Sequence, residues 1–176
     1  LQAQREVVVS AMIAASRPKP FPRWTAAVAF GVLAFAMLFR FWTAPRELSA
    51  RVRDVPLATH ARLVASQAEE VEFSDGSRIA LEPEARIEIS RLSSERADIV
   101  LDDGRLAASI RKGTGRSWTI SAGPFDVRVV GTEFSVRWER EQQAFAVSVR
   151  EGKVLVFGKD LPATGVALEA GGRFER

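Results

Sequence analysis

The stretch DVRVVGTEFSVRWE, Asp126 to Glu139, decides how this chain folds. Apolar and polar residues alternate at period two on both sides of Gly131-Thr132, which is strand patterning with one interruption. Phe125, Val127 and Val129 stand at odd positions, whereas Phe134, Val136 and Trp138 stand at even ones. The parity of the apolar face therefore changes across Val130 to Glu133. One extra residue re-aims every side chain beyond it, so the pattern predicts a bulge or tight corner at Gly131.

The same alternation recurs on either side of this stretch. Ile79 and Leu81, Ile87 and Ile89, and Phe145, Val147 and Val149 join the residues above as core candidates. Their neighbours Arg86, Glu88, Asp126, Arg128, Arg137 and Ser148 are expected to face solvent, as on a sheet with one wet face. Three Gly-containing pairs, Asp75-Gly76, Asp103-Gly104 and Glu151-Gly152, separate strand-like pieces and read as hairpin turns. Glycine supplies a positive φ without a Cβ clash there. The spacing has no fixed period, which excludes a regular hexapeptide helix. The class is all-β; a Greek-key sandwich, a small barrel and an irregular β-solenoid all satisfy the pattern.

N-terminal to this region runs WTAAVAFGVLAFAMLFRFW, Trp24 to Trp42, with no charge before Arg40. As a helix it would be roughly 28 Å long against a hydrocarbon core of about 30 Å, so one membrane crossing is expected at 24–42. The Trp residues at its two ends suit the headgroup region. A buried core helix is the rival structural reading, disfavoured by the flanking RPKPFPR, Arg17 to Arg23. A cleaved signal peptide is disfavoured too, because FWTAPRE has no small-x-small site. Residues 1–23 read as the juxtamembrane tail of a region further upstream, 43–66 as a polar stalk and 67–176 as the folded β domain. Lys and Arg flank the span on both sides, so charge alone leaves its orientation open.

Composition narrows the chemistry. The 176 residues contain no Cys, so neither disulfides nor thiolate chemistry operate, and one His, His60, stands without a second imidazole. The net charge of +3 arises from basic residues scattered among acidic ones, a mixed surface rather than a nucleic-acid stripe. Glu69, Glu70, Glu72 and Asp75 lack the ligand spacing of a calcium loop. Asp102-Asp103 reads as turn chemistry. RKGTGRSW, Arg111 to Trp118, lacks the GxxxxGK[ST] spacing and a following helix, so it reads as a basic loop between strands. No catalytic, metal or cofactor-binding residue is assigned, and no enzyme activity is expected.

Four segments in order carry a resemblance: FSDGSRIAL, ADIVLDDGRLAASI, GPFDVRVVGTEFSVR and AVSVREGKVLVFG, spanning Val71 to Gly158. With the preceding apolar run, the chain resembles the FecR family of membrane-tethered sigma-factor regulators. The resemblance implies a FecR-type β domain in the periplasm, on a single-pass protein of the bacterial inner membrane with residues 1–23 cytoplasmic. It implies a signal transducer whose upstream segment holds an extracytoplasmic-function sigma factor, as an anti-sigma factor does. The signal would come from an outer-membrane transporter or another periplasmic protein and would be relayed by regulated proteolysis. A second reading is a membrane-anchored module that binds envelope glycan or protein without a transcriptional role. Trp118 and Trp138 motivate it if exposed, although burial in the core is the plainer fate for both.

Overall fold

The computed structural model describes residues 47–176, and the expected span at 24–42 and the tail at 1–23 lie outside them. Among the described residues no helix is long and apolar enough to cross a membrane. Every regular element there is a strand: β1 (Ala50–Val52), β2 (Val55–Leu57), β3 (Arg62–Val64), β4 (Glu69–Phe73), β5 (Arg78–Leu81), β6 (Arg86–Leu92) and β7 (Arg96–Ser109). Then follow β8 (Ser117–Ala122), β9 (Phe125–Val129), β10 (Glu133–Glu139), β11 (Ala144–Glu151), β12 (Lys153–Gly158), β13 (Val166–Glu169) and β14 (Arg173–Glu175).

All fourteen strands share one open, hydrogen-bonded sheet. Its pairings separate into two wings, β2-β1-β4-β5-β7-β10-β11-β14 and β3-β6-β7-β8-β9-β12-β13, with β7 in both. The first half of β7 pairs Ile99 with Ile89 and Ile120, and the second half pairs Ala107 with Ala80 and Ser135. The register forces this strand to bend. Arg96 is the partner of Ser117. A straight strand from Arg96 to Ser109 would be about 43 Å long, whereas the connection from Ser109 to Ser117 reaches at most about 29 Å. β7 therefore folds over within its length, at Gly104, whose φ is +94°. A Cβ there would lie 2.7 Å from the Ala85 Cα, so only glycine fits.

Several connections between strands change wing; two short ones do so at a glycine, β9 to β10 through Val130–Thr132 and β11 to β12 through Gly152, and with the β7 bend they make three glycine crossings. The corner expected at Gly131 is present: its φ is +127°, and a Cβ would come within 2.8 Å of the Lys112 Cα. At each of the three crossings the buried positions switch parity. Ala97, Ile99 and Leu101 give way to Leu106, Ala108 and Ile110; Val127 and Val129 to Phe134, Val136 and Trp138; Phe145, Val147 and Val149 to Val154 and Val156. Register slips leave Asp102 opposite no β6 partner and Arg150 opposite no β10 partner, bulges that sit beside Gly104 and Gly152.

Of the three glycine pairs read as hairpin turns, only Asp75-Gly76 joins two strands that pair with each other. Asp103-Gly104 lies inside β7, and Glu151-Gly152 links strands in different wings. A positive φ serves a crossover corner as well as a hairpin, which is why the two look alike in sequence.

The wings face each other across one core. Phe73 of β4 meets Trp118 of β8 edge to face at 4.7 Å between ring centroids, and Phe125 of β9 stacks on Phe145 of β11 at 4.4 Å. This is the sandwich-like alternative. The solenoid reading is overturned, because a solenoid stacks parallel strands coil upon coil and β7–β8 is the one parallel pairing among the described residues. The core candidates are buried apart from half-buried Phe125, and Trp118 and Trp138 are buried as well. Arg86, Arg128 and Arg137 are exposed, while Glu88, Asp126 and Ser148 are half-buried.

The residues expected to form a stalk contain β1, β2 and β3, within a compact unit that runs from Pro45 to Arg176. Leu48, Ala50 and Val52 are buried, and β1 pairs with β4 through Ala50–Phe73 and Val52–Val71. Strands of three residues are too short to display alternation above the surrounding Arg residues. Pro56 sits on β2 at the rim of its wing, where a missing N–H costs no ladder bond.

Thr132 locks two crossings to the end of β7. Its hydroxyl donates to the Lys153 carbonyl at 3.0 Å, and its own carbonyl accepts from the Ile110 N–H at 3.0 Å. Gly131→Val, which forces a β-branched residue into a left-handed corner, is expected to cost about 3 kcal/mol or more. Arg137→Ala, on the exposed face, should change stability by less than about 1 kcal/mol. Equal melting temperatures for the two variants would refute the corner. Thr132→Val keeps the shape and removes the hydroxyl; urea denaturation should show a loss of about 1 kcal/mol.

Candidate functional site

Five connections converge at one end of the domain. The loop 110–116 runs from β7 to β8, and its Arg111 N–H donates to the Ser77 hydroxyl of the β4–β5 turn at 3.1 Å. Its Arg116 reaches the Asp75 carboxylate at 2.6 Å and the Ser93 carbonyl of the β6–β7 turn at 3.0 Å. Its Lys112 lies against Gly131 in the β9–β10 corner and donates to Glu151 beside the β11–β12 crossing at 2.5 Å.

The Asp75–Arg116 pair is the one buried ion pair among the described residues, with side chains 9% and 6% exposed. Two buried charges gain from each other only if their remaining hydrogen-bonding groups are also satisfied. Here they are engaged further: Asp75 accepts from the Ser77 N–H at 2.9 Å, and Arg116 donates to the Ser93 carbonyl. Asp75 is close in sequence to Glu69, Glu70 and Glu72 but differs from them in placement. Glu70 and Glu72 face outward from β4 beside Arg78 and Arg51, whereas Glu69, 11% exposed, stands on the face of Val71 and Phe73 and pairs with Arg53. Asp75 turns inward to Arg116.

Above the pair opens a cleft of about 620 Å³ lined by Glu47, Ser49, Ser74, Ser94, Arg111 and Thr114, with Asp75, Lys112, Gly113 and Arg116. Two of its walls come from residues that the sequence reading placed in different categories, a stalk and a basic loop. No pattern in a single sequence brings Ser49 beside Ser74; the hydrogen bond between the Ser49 N–H and the Ser74 hydroxyl, 3.1 Å, does.

The remaining positions considered for chemistry are dispersed. His60 is exposed, with its Nδ1 3.8 Å from Glu88, and the Arg62 guanidinium donates to the same carboxylate at 2.8 Å. Among the described residues no three His, Cys, Asp or Glu side chains form a metal-binding group. Asp103 accepts from the Arg140 N–H at 3.1 Å, joining the β7 bend to the β10–β11 turn. Burial of Trp118 and Trp138 removes the aromatic platform that motivated a glycan-binding module.

Charge placement lowers the pKa of two carboxyl groups among the described residues. The hydrogen bond and charge of Arg62 hold the Glu88 carboxyl below its ordinary range, and those of Lys112 do the same for Glu151. A carboxyl with a lowered folded pKa adds stability above its unfolded value and loses it as the pH falls through the folded one. Lys112→Ala should therefore return the Glu151 pKa upward toward the usual 4.5 in an NMR titration, with Glu88 unmoved. Asp75→Ala removes the carboxylate paired with a buried guanidinium and should cost about 3–5 kcal/mol in denaturant unfolding. Removing an exposed acid such as Glu72 should cost less than about 1 kcal/mol.

A family model described as FecR protein matches residues 61–155, more than half of the chain. Two crystal structures of a candidate anti-sigma factor from Parabacteroides distasonis ATCC 8503 have a similar fold. Each has a TM-score of 0.55 at 20% identity, over 66% of this chain and 59% of that one. The chain thus spans about three fifths of that protein's length, and the likeness concerns fold. No curated protein matches. The matched segment begins just before β3, ends within β12 and contains all three crossings: this chain belongs to the FecR family.

Proposed function

We propose that this protein is a membrane-tethered regulator of an extracytoplasmic-function sigma factor, with the β domain as its periplasmic sensing part. The observation that carries the reading is the family match over residues 61–155. The shared fold with a candidate anti-sigma factor supports it. The apolar run Trp24–Trp42 supports the tether, with residues 1–23 on the cytoplasmic side. The sigma factor is held on the cytoplasmic side of the membrane, and the signal reaches the β domain from an outer-membrane transporter or another periplasmic protein.

The physics of the relay favours cutting or a change of association. One helix bears few contacts that differ between two states of a remote domain, and a signal can shift an equilibrium only through such differences. The buried polar side chains among the described residues, Ser77, Arg116 and Thr132, are engaged in structural hydrogen bonds.

Full-length protein tagged at its C-terminus, cross-linked and purified from its own bacterial membranes, should bring down a sigma factor. Deletion of the gene should alter transcription of that factor's targets. Recovery of no sigma factor together with unchanged transcription would sink the reading. Alkaline phosphatase fused after Arg176 should be active, and a fusion after Ser16 inactive; the reverse pattern would overturn the orientation.

A further inference from the structure

We propose that the cleft over the Asp75–Arg116 pair binds a sugar-sized ligand bearing one oxyanion, the oxyanion on the loop 111–115 and the ligand's hydroxyls against Ser49, Ser74 and Glu47. This goes beyond sigma-factor regulation and does not rest on it, since the residues invoked all belong to the β domain.

Three observations converge. First, the backbone N–H groups of Lys112, Gly113 and Gly115 have no acceptor among the described residues, while those of Ile110, Arg111 and Arg116 on either side are engaged. Gly113 and Gly115 have φ of +79° and +70°, left-handed positions of the kind that let a short loop turn its N–H groups toward a common concavity, a recurrent way of holding an anion. Second, no atom lies within 4 Å of where a Cβ would stand on either glycine, so the loop is open on that side.

Third, the Arg111 guanidinium makes no hydrogen bond or ion pair among the described residues, although it lines the same cleft. The neighbouring cations are occupied, Lys112 by Glu151 and Arg116 by Asp75. Arg111 is therefore the cation available to an incoming anion, placed beside unpaired donors. The volume of about 620 Å³ suits a small ligand. The hydroxyls of Ser49, Ser74, Ser94 and Thr114 and the carboxylate of Glu47 match a polyhydroxylated body better than an apolar one. The motif is no P-loop, since a strand and not a helix follows it; the concavity is made by the loop alone.

The full chain in zwitterionic detergent can be titrated calorimetrically with four probes: glucose 6-phosphate, glucuronate, inorganic phosphate and glucose. Saturable binding of glucose 6-phosphate or glucuronate is expected, at least tenfold tighter than glucose and tighter than inorganic phosphate; which of the two binds identifies the oxyanion. Arg111→Ala, an exposed position, should weaken that binding at least tenfold without moving the melting temperature, and Arg111→Lys should recover part of it. The proposal is overturned if none of the probes saturates or if Arg111→Ala leaves the affinity unchanged. It is overturned equally if glucose or inorganic phosphate alone binds as tightly as the anionic sugars. Neither result bears on whether a sigma factor co-purifies.

Discussion

Everything in this domain depends on one constraint: a strand that passes from one wing of the sheet to the other must exchange its inward and outward faces. Side chains alternate strictly along a strand, so the exchange requires an odd adjustment of backbone where the chain crosses within a strand or across a corner of a few residues. The chain makes that adjustment three times, at Gly104, Gly131 and Gly152, twice with a bulge alongside. The core forms only because all three succeed. A slip at any of them would direct a whole row of Val, Ile and Phe side chains into water.

Thr132 shows how the crossings hold one another. A single residue, 2% exposed, bonds to the strand that starts after Gly152 and to the residue that follows β7. The cleft is a by-product of this closure. The loop that returns β7 to β8 has to cover that end of the sandwich, and the Asp75–Arg116 pair fastens it to the β4–β5 turn. Fastening spends the loop's buried cation on structure and leaves Arg111 exposed at the cleft. Stability and the capacity to bind thus come from different residues of one short loop.

Much of the fold was legible in the sequence because burial on one face leaves a period-two record. The strand residues named from Ile79 to Val149 are core residues, and the corner at Gly131 was visible from parity alone. The same parity switch stands in Ala97–Ile110 and in Phe145–Val156, where it distinguishes a crossing from a hairpin; the glycine after an acidic residue does not. β1 to β3 escaped notice because three-residue strands carry too few positions for a period to emerge. The candidate site was less legible. Asp75 and Arg116 look like ordinary surface charges, and only their separation of 2.6 Å inside the fold marks them as a pair.

What the sequence determined by itself is the class and the family: alternation demands strands, and the ordered segments from Val71 to Gly158 mark a FecR-type domain. What only the tertiary structure decided is which strands are neighbours. Periodicity specifies the face that each residue takes, a local property of the pleat. Pairing partners, the sandwich rather than the solenoid, and the meeting of Glu47, Asp75 and Arg116 around one cleft are set by contacts between segments far apart in the chain. No local pattern encodes such contacts, because they are chosen by the packing of the whole core.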